Sequence, residues 1–214
     1  MEVTVAQMKQ IEHDANAAGL SYTRMMENAG QAAASALLAE LPGRFAAAAV
    51  FCGTGNNGGD GFVLARALHL AGKQVRIIQV GGAPKTADAL LNQEKARSCG
   101  IPMMPLEQLS PEWTAWALQA DAVVDALYGT GFHGVLCPAG LEACALINRS
   151  RGFCLALDLP SGLAADSGLA ATGTVWADLT VTFHASKPCH RLYPQQCGKT
   201  QIVSIGVETV LPAT

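Results

Sequence analysis

Charge is scarce in this chain of 214 residues: only 14% are Asp, Glu, Lys or Arg, and the net charge is −3. Globular proteins usually carry about 25% charged residues. So low a content excludes a disordered tail or a charged adaptor. It also provides no electrostatic footprint for nucleic acid or for an anionic membrane. Aromatic residues make up only 6%, and the three Trp and three Tyr are too dispersed for a base-stacking platform. No apolar run approaches the ~20 residues that span a bilayer. The longest, Phe45–Cys52, has the length of a strand. The N-terminal segment carries Glu2, Lys9, Glu12 and Asp14 through an amphipathic pattern, which is no signal peptide. The seven Cys form no C-x-x-C pair. An odd, scattered set reads as reduced thiols of a cytoplasmic protein, not as a disulfide framework. The five His show no H-E-x-x-H or similar spacing, so no His-based zinc site is expected.

What is present is a full core. Half the residues are hydrophobic, and a chain this long can bury roughly 70% of its unfolded surface. Met8, Ile11, Ala15 and Ala18 recur at helical spacing behind a Thr4/Gln7 capping box, and Gly19 ends that helix. Ser21 can cap a second helix from Tyr22 to Leu41, stopped by Pro42-Gly43. Strand-length apolar runs follow at Ala47–Cys52, Val75–Val80, Ala122–Leu127, Phe153–Leu157, Leu179–Phe183 and Gln201–Ile205. Helix-length stretches separate several of them: Asp60–Ala71, Thr86–Ser98, Pro111–Gln119 and Pro138–Asn148. Runs that are continuously apolar, not alternating, belong to strands covered on both faces. The pattern predicts a mostly parallel sheet between helical layers, an α/β/α sandwich with two extra N-terminal helices. A single domain spanning 1–214 is expected, with no repeat and no linker.

Ligands of open α/β sheets bind beyond the carboxyl ends of the strands, and four strand ends carry unusual chemistry. After the first, Gly53-Thr54-Gly55-Asn56-Asn57-Gly58-Gly59-Asp60-Gly61 holds five glycines in nine residues. Such a loop admits close backbone approach and positive φ, and the helix expected to follow favours an anion. Gly53-x-Gly55-x-x-Gly58 satisfies the dinucleotide fingerprint in form, but Gly81-Gly82 stand where a ribose-binding acid should end the next strand. No Lys-Ser/Thr follows, so the segment is no P-loop. At the second strand end, Asp125 interrupts an apolar run before Tyr128-Gly129-Thr130-Gly131. At the third, Asp158 precedes Leu159-Pro160-Ser161-Gly162. A carboxylate in such a run is costly unless paired or metal-bound. Partial burial would raise the pKa of Asp158 and suit it to proton transfer. A turn or cap role is the plain alternative for each. The fourth strand end carries Lys187 before Pro188, held extended and able to reach a phosphate or carboxylate. Asn, Asp and Ser oxygens are hard ligands, suited to an alkali or alkaline-earth ion.

Together, Met26-Glu27-Asn28-Ala29-Gly30, GTGNNGGDG (53–61), DALYGTG (125–131), ALDLPSG (156–162) and TVTFHASK (180–187), in this order, closely resemble the NAD(P)H-hydrate epimerase family, the YjeF N-terminal domain. The resemblance runs from Ala6 to Val207. It implies a Rossmann-like sandwich, usually a homodimer, that interconverts the R and S forms of hydrated NADH and NADPH. It places substrate binding on Asn56, Asn57, Gly58, Gly59 and Asp60, on Gly129, Thr130, Gly131, Phe132, His133, Gly134 and Val135, and on Asp158. It places one potassium ion (K+) per subunit on Asn57, Asp125 and Ser161. It makes Asp158 the catalytic acid/base with Lys187 in support. It also implies a dehydratase, fused or separate, as a working partner. Where the family often has Gly soon after Lys-Pro, this chain has Cys189-His190-Arg191, and Ala164 stands where Asn or Asp is common.

The mechanism expected from these residues centres on C6 of the hydrated ring, a hemiaminal. A protonated Asp158 would help the hydroxyl leave, and water would return on the other face with Asp158 as base. Ring opening at C6 and reclosure is an equally legal route. Two rival readings stand beside this one: a non-catalytic nucleotide-binding or scaffold module of the same fold, and an ordinary nicotinamide oxidoreductase.

Overall fold

The computed structural model describes residues 1–43 and 45–211. Its centre is a seven-stranded sheet, parallel throughout: β1 (Ala47–Cys52), β2 (Gln74–Gln79), β3 (Met103–Pro105), β4 (Ala122–Ala126), β5 (Phe153–Leu157), β6 (Leu179–Phe183) and β7 (Lys199–Val203). The spatial order is β3-β2-β1-β4-β5-β6-β7. The chain therefore builds outward from β1 in one direction, returns, and builds outward in the other. That reversal leaves a crevice between the carboxyl ends of β1 and β4, the position where doubly wound sheets take their ligands.

Alternate residues of each strand feed opposite cores. Ala48, Val50 and Cys52 of β1 join one core with α1 (Val5–Ala17), α2 (Tyr22–Glu40), α3 (Asn56–Leu70) and α4 (Ala87–Ser98). Ala49 and Phe51 join the other with α5 (Pro111–Gln119) and α6 (Pro138–Arg149). The expected three layers are present, and α1 and α2 are the two added N-terminal helices. The Met26–Gly30 segment joins α2 to α3. A Cβ on Gly30 would meet Val63 and the Asp60 carbonyl, Met26 packs beneath Gly59, and Glu27 takes Arg66 at 2.6 and 2.5 Å.

Several boundaries differ from the sequence reading. Helix α3 begins at Asn56, not Asp60, so most of the glycine-rich segment is helical and none of its glycines has positive φ. They serve close packing instead: a Cβ on Gly58 would collide with the Gly53 carbonyl, and one on Gly53 with the Leu127 carbonyl. Strand β3, only three residues long and ending in a proline, escaped the apolar-run criterion. Strand β7 starts two residues earlier than Gln201. Two short helices, α7 (Pro188–Leu192) and α8 (Pro194–Cys197), occupy the stretch after Lys187, each opened by a proline. All seven cysteines are free thiols. Among the described residues no helix is long and apolar enough to cross a membrane.

Candidate active site

A cavity of about 430 Å³ opens at the carboxyl end of the sheet. Its floor is the α3 start (Asn56, Asn57, Asp60) and the segment after β4 (Leu127 to Phe132). One wall holds Asp158 and Lys187, and α1 roofs it with Met8, Lys9 and Glu12. Of the residues expected to bind substrate, Asn56, Asn57, Asp60, Gly129, Thr130, Gly131, Phe132 and Asp158 line this space. Gly58 and Gly59 pack against protein instead, and His133, Gly134 and Val135 lie beyond the lining, Val135 being 86% exposed.

Asp158 follows the last residue of β5 and adopts φ 65°, with Leu159 N–H donating to Leu157 O at 2.8 Å. His184, just past β6, repeats the turn at φ 63°, with Ala185 N–H donating to Phe183 O at 2.7 Å. Non-glycine residues rarely adopt such turns, and each costs about 1–3 kcal/mol. The adjacent strands thus end in twin tight turns that throw the chain sideways across the sheet edge. The first puts the Asp158 carboxylate in the cavity wall, and the second aims the chain at Lys187.

Lys187 is 1% exposed, and three acceptors satisfy its three ammonium protons. They are Asp158 Oδ1 at 2.6 Å, Thr182 Oγ1 at 2.9 Å and Phe183 O at 3.2 Å. The other Asp158 oxygen, Oδ2, accepts from Thr130 N–H at 3.2 Å. A Cβ on Gly129 would sit 3.2 Å from Oδ2, so glycine keeps that approach open. Burial alone would raise the Asp158 pKa. The Lys187 ammonium and its hydrogen bond outweigh burial and hold the carboxyl below its ordinary range. Asp158 is therefore ionised at neutral pH. The expectation of a protonated Asp158 is corrected: its partner lies 29 residues downstream, where spacing cannot reveal it.

Asp60 has the opposite surroundings. It is 9% exposed, and no described residue donates a hydrogen bond to its carboxyl. Burial, then the nearby Asp158 and Glu12 carboxylates, push its pKa well above the usual value, against the pull of Lys187. Glu12 is raised as well, by burial first and Asp158 second. The cavity thus holds one carboxyl group held low by an ammonium and another pushed up by burial and like charge. Environments that push two such groups apart mark a base and an acid.

Behind the cavity, Asp125 and Ser161 are fully buried and bonded to each other. Asp125 Oδ1 accepts from Ser161 Oγ at 2.6 Å and Oδ2 from Ser161 N–H at 2.7 Å, while Leu127 N–H adds a bond at 3.2 Å. Burial pushes Asp125 up to about 6 despite those bonds. Ser161 Oγ also accepts from Tyr128 N–H at 3.0 Å. Asn57 meets the same segment one residue on, its side chain 3.5 Å from where a Gly129 Cβ would lie. Both polar atoms of the Asn57 amide are buried without a partner. An unmet buried amide costs about 1–3 kcal/mol per group and calls for a water or ion. Among the described residues no three of His, Cys, Asp and Glu cluster as metal ligands. A cation here would rest on one carboxylate with amide, hydroxyl and backbone oxygens, a hard set that suits an alkali ion.

Sequence reasoning missed Glu12, Thr182 and His190. The helical stripe of Met8 and Ala15 showed that α1 packs, but not that Glu12 would overhang a cavity.

A family model described as "YjeF-related protein N-terminus" matches residues 22–189. The chain is 42% identical over 191 residues to a "Bifunctional NAD(P)H-hydrate repair enzyme Nnr" of Archaeoglobus fulgidus, covering 88% of this chain and 38% of that one. It therefore spans well under half the length of that relative. It is 40% identical over 200 residues to an "NAD(P)H-hydrate epimerase" of Pirellula staleyi, covering 90% of this chain and 86% of that one. The yeast protein YNL200c, known from a crystal structure, shares the fold with a TM-score of 0.82 at 21% identity, over 95% of this chain and 88% of that one.

Proposed function

The chain belongs to the family of YjeF-related N-terminal domains, and from that premise we propose that it is an isomerase, an NAD(P)H-hydrate epimerase acting at C6 of the hydrated nicotinamide ring. One observation carries the mechanism: a single cavity at the sheet's switch point holds two carboxyl groups in opposite surroundings, Asp158 paired with Lys187 and held low, Asp60 buried without a donor and pushed up. Asp60 gives its proton to the C6 hydroxyl. The C6–O bond breaks, water departs, and the ring nitrogen's lone pair closes a flat iminium. Water then adds to the opposite face, and Asp158 takes its proton. Exchange with solvent returns a proton to Asp60 and removes one from Asp158. Ring opening at C6 needs the same acid and base. Each group contributes about 10²–10⁴-fold, and holding C6 beside both contributes the rest. Lys187 keeps Asp158 ionised until the proton arrives.

In the same reading, the free N–H groups at the α3 start bind phosphate oxygens of the dinucleotide, and the Gly129–Phe132 segment covers the ring. The orphaned Asn57 amide fits a potassium ion, held by Asn57, Asp125 and Ser161. When bound, the ion would supply positive charge that offsets Asp125. The reading takes residues 1–214 as one domain, active as a cytoplasmic homodimer. It supplies the correct epimer to an ATP- or ADP-dependent dehydratase, fused or separate. The presence of Asp158, Asp60 and Lys187 in one cavity favours an enzyme over a scaffold module.

The test is epimerisation of purified R-hydrate. Wild type should equilibrate R and S, and Asp158→Ala should be slower by about 10²–10⁴-fold. A folded wild type without turnover overturns the function, and a folded Asp158→Ala at wild-type rate overturns the assignment of the base.

A further inference from the structure

His190 lies outside the cavity lining, yet its ring spans the main chains of both residues that make the ion pair. Its Nδ1 accepts from Lys187 N–H at 2.9 Å, and its Nε2 lies 2.8 Å from Asp158 O. A backbone N–H only donates and a carbonyl only accepts, so the ring must be neutral with its proton on Nε2. An imidazolium would set an N–H against the Lys187 N–H. The ring is 6% exposed on the short helix α7, which Pro188 opens. Burial depresses its pKa, with Lys187 adding to the effect and the Asp158 and Glu2 carboxylates opposing it.

The carbonyl it holds belongs to the residue with the rare left-handed backbone at φ 65°. That turn stays in place only if its surroundings over-determine it. The Lys187–Asp158 ion pair ties two charges to each other, but the tie depends on charge. In the proposed reaction Asp158 accepts a proton, and at that moment the ion pair weakens. The imidazole bonds join main chain to main chain and are indifferent to the carboxyl's protonation.

We propose that His190 is a positioning residue: a neutral imidazole strut that fixes the Asp158 turn to the Lys187 backbone and keeps the carboxyl aimed into the cavity through the protonated stage of the cycle. This rests on the epimerase reading for its kinetic consequence, though not for its structural one.

Two measurements test it. The first is ¹⁵N NMR of the histidine rings in the full chain at neutral pH. The expected result is a protonated Nε2 and a bare Nδ1 for His190, and a protonated Nδ1 overturns the strut. The second compares His190→Leu, which loses both bonds, with His190→Gln, whose amide can donate from Nε2 and accept at Oε1. In His190→Leu, kcat should fall about 10- to 100-fold with KM within about threefold of wild type, while His190→Gln should recover most of kcat. A folded His190→Leu with wild-type kcat, or a folded His190→Gln as slow as the Leu variant, overturns the proposal. If His190→Leu does not fold, the NMR result and the Gln variant decide. Absence of turnover in wild type would refute the epimerase reading instead, and the ring proton would still decide the strut.

Discussion

The two flanks of the cavity differ in how completely their polar groups are partnered. On the β5–β6 flank, Asp158, Lys187, Thr182 and His190 satisfy one another within a few ångströms, and Lys187 has no proton to spare. On the β1–α3 flank, the Asn57 amide has no partner and the Asp60 carboxyl accepts no hydrogen bond from a described residue. One flank is finished before any ligand arrives, and the other is left open for one. A preorganised base acts without rearranging, whereas an unsatisfied amide and carboxyl gain most from a guest that supplies the missing contacts.

The sharpest way to break this contrast is to open the finished flank. Lys187→Met leaves a buried carboxylate unpaired, and kcat should fall about 10³-fold. The pH profile gives the sign. With Lys187 present, Asp158 is held below its usual range, so activity survives moderate acid. Without it, burial prevails, the Asp158 pKa rises, and the acid limb of kcat should move to higher pH. A limb that stays put would show that Asp158 is not the titrating base. On the open flank, Asp60→Asn should cost about 10²-fold in kcat. It should also erase the alkaline limb expected of wild type, because the proposed acid acts only while it carries its proton. A retained limb would pass the acid's role to another group. The smallest effect belongs to Asn57→Ala, with kcat lowered only a few-fold. Potassium at 100 times its Kd stabilises a site by about 2.7 kcal/mol, so replacing tetramethylammonium with potassium should raise the wild-type Tm by several degrees. Asn57→Ala should lose that shift, and keeping it would remove Asn57 from the ion site.

The same contrast explains what the sequence could reveal. Asp125 and Asp158 stood out because a carboxylate in an apolar run demands a reason, and Asn56, Asn57 and Asp60 because they exceed what a turn needs. The central strands β1, β4 and β5 were legible because each is apolar on two faces, whereas the short edge strand β3 was not. The start of α3 was not, since glycines are poor helix formers and their use here depends on Gly53, Leu127 and Met26 lying against them. The ionised state of Asp158, the overhang of Glu12 and the His190 strut all arise from contacts between segments distant in sequence. They become visible only once β5 and β6 lie side by side.

The strand order also sets a timetable. A wholly parallel sheet has no hairpin to form early, and each neighbouring pair must wait for a crossover. During synthesis β1 can find β2 first, so the open flank takes shape while the other is still unmade. Asp125 then emerges 36 residues ahead of the serine that will bond it, and Asp158 leads Lys187 by 29. Until those partners leave the ribosome, burying either carboxylate would leave a charge unpaired, a cost that ends only when Ser161 and Lys187 arrive.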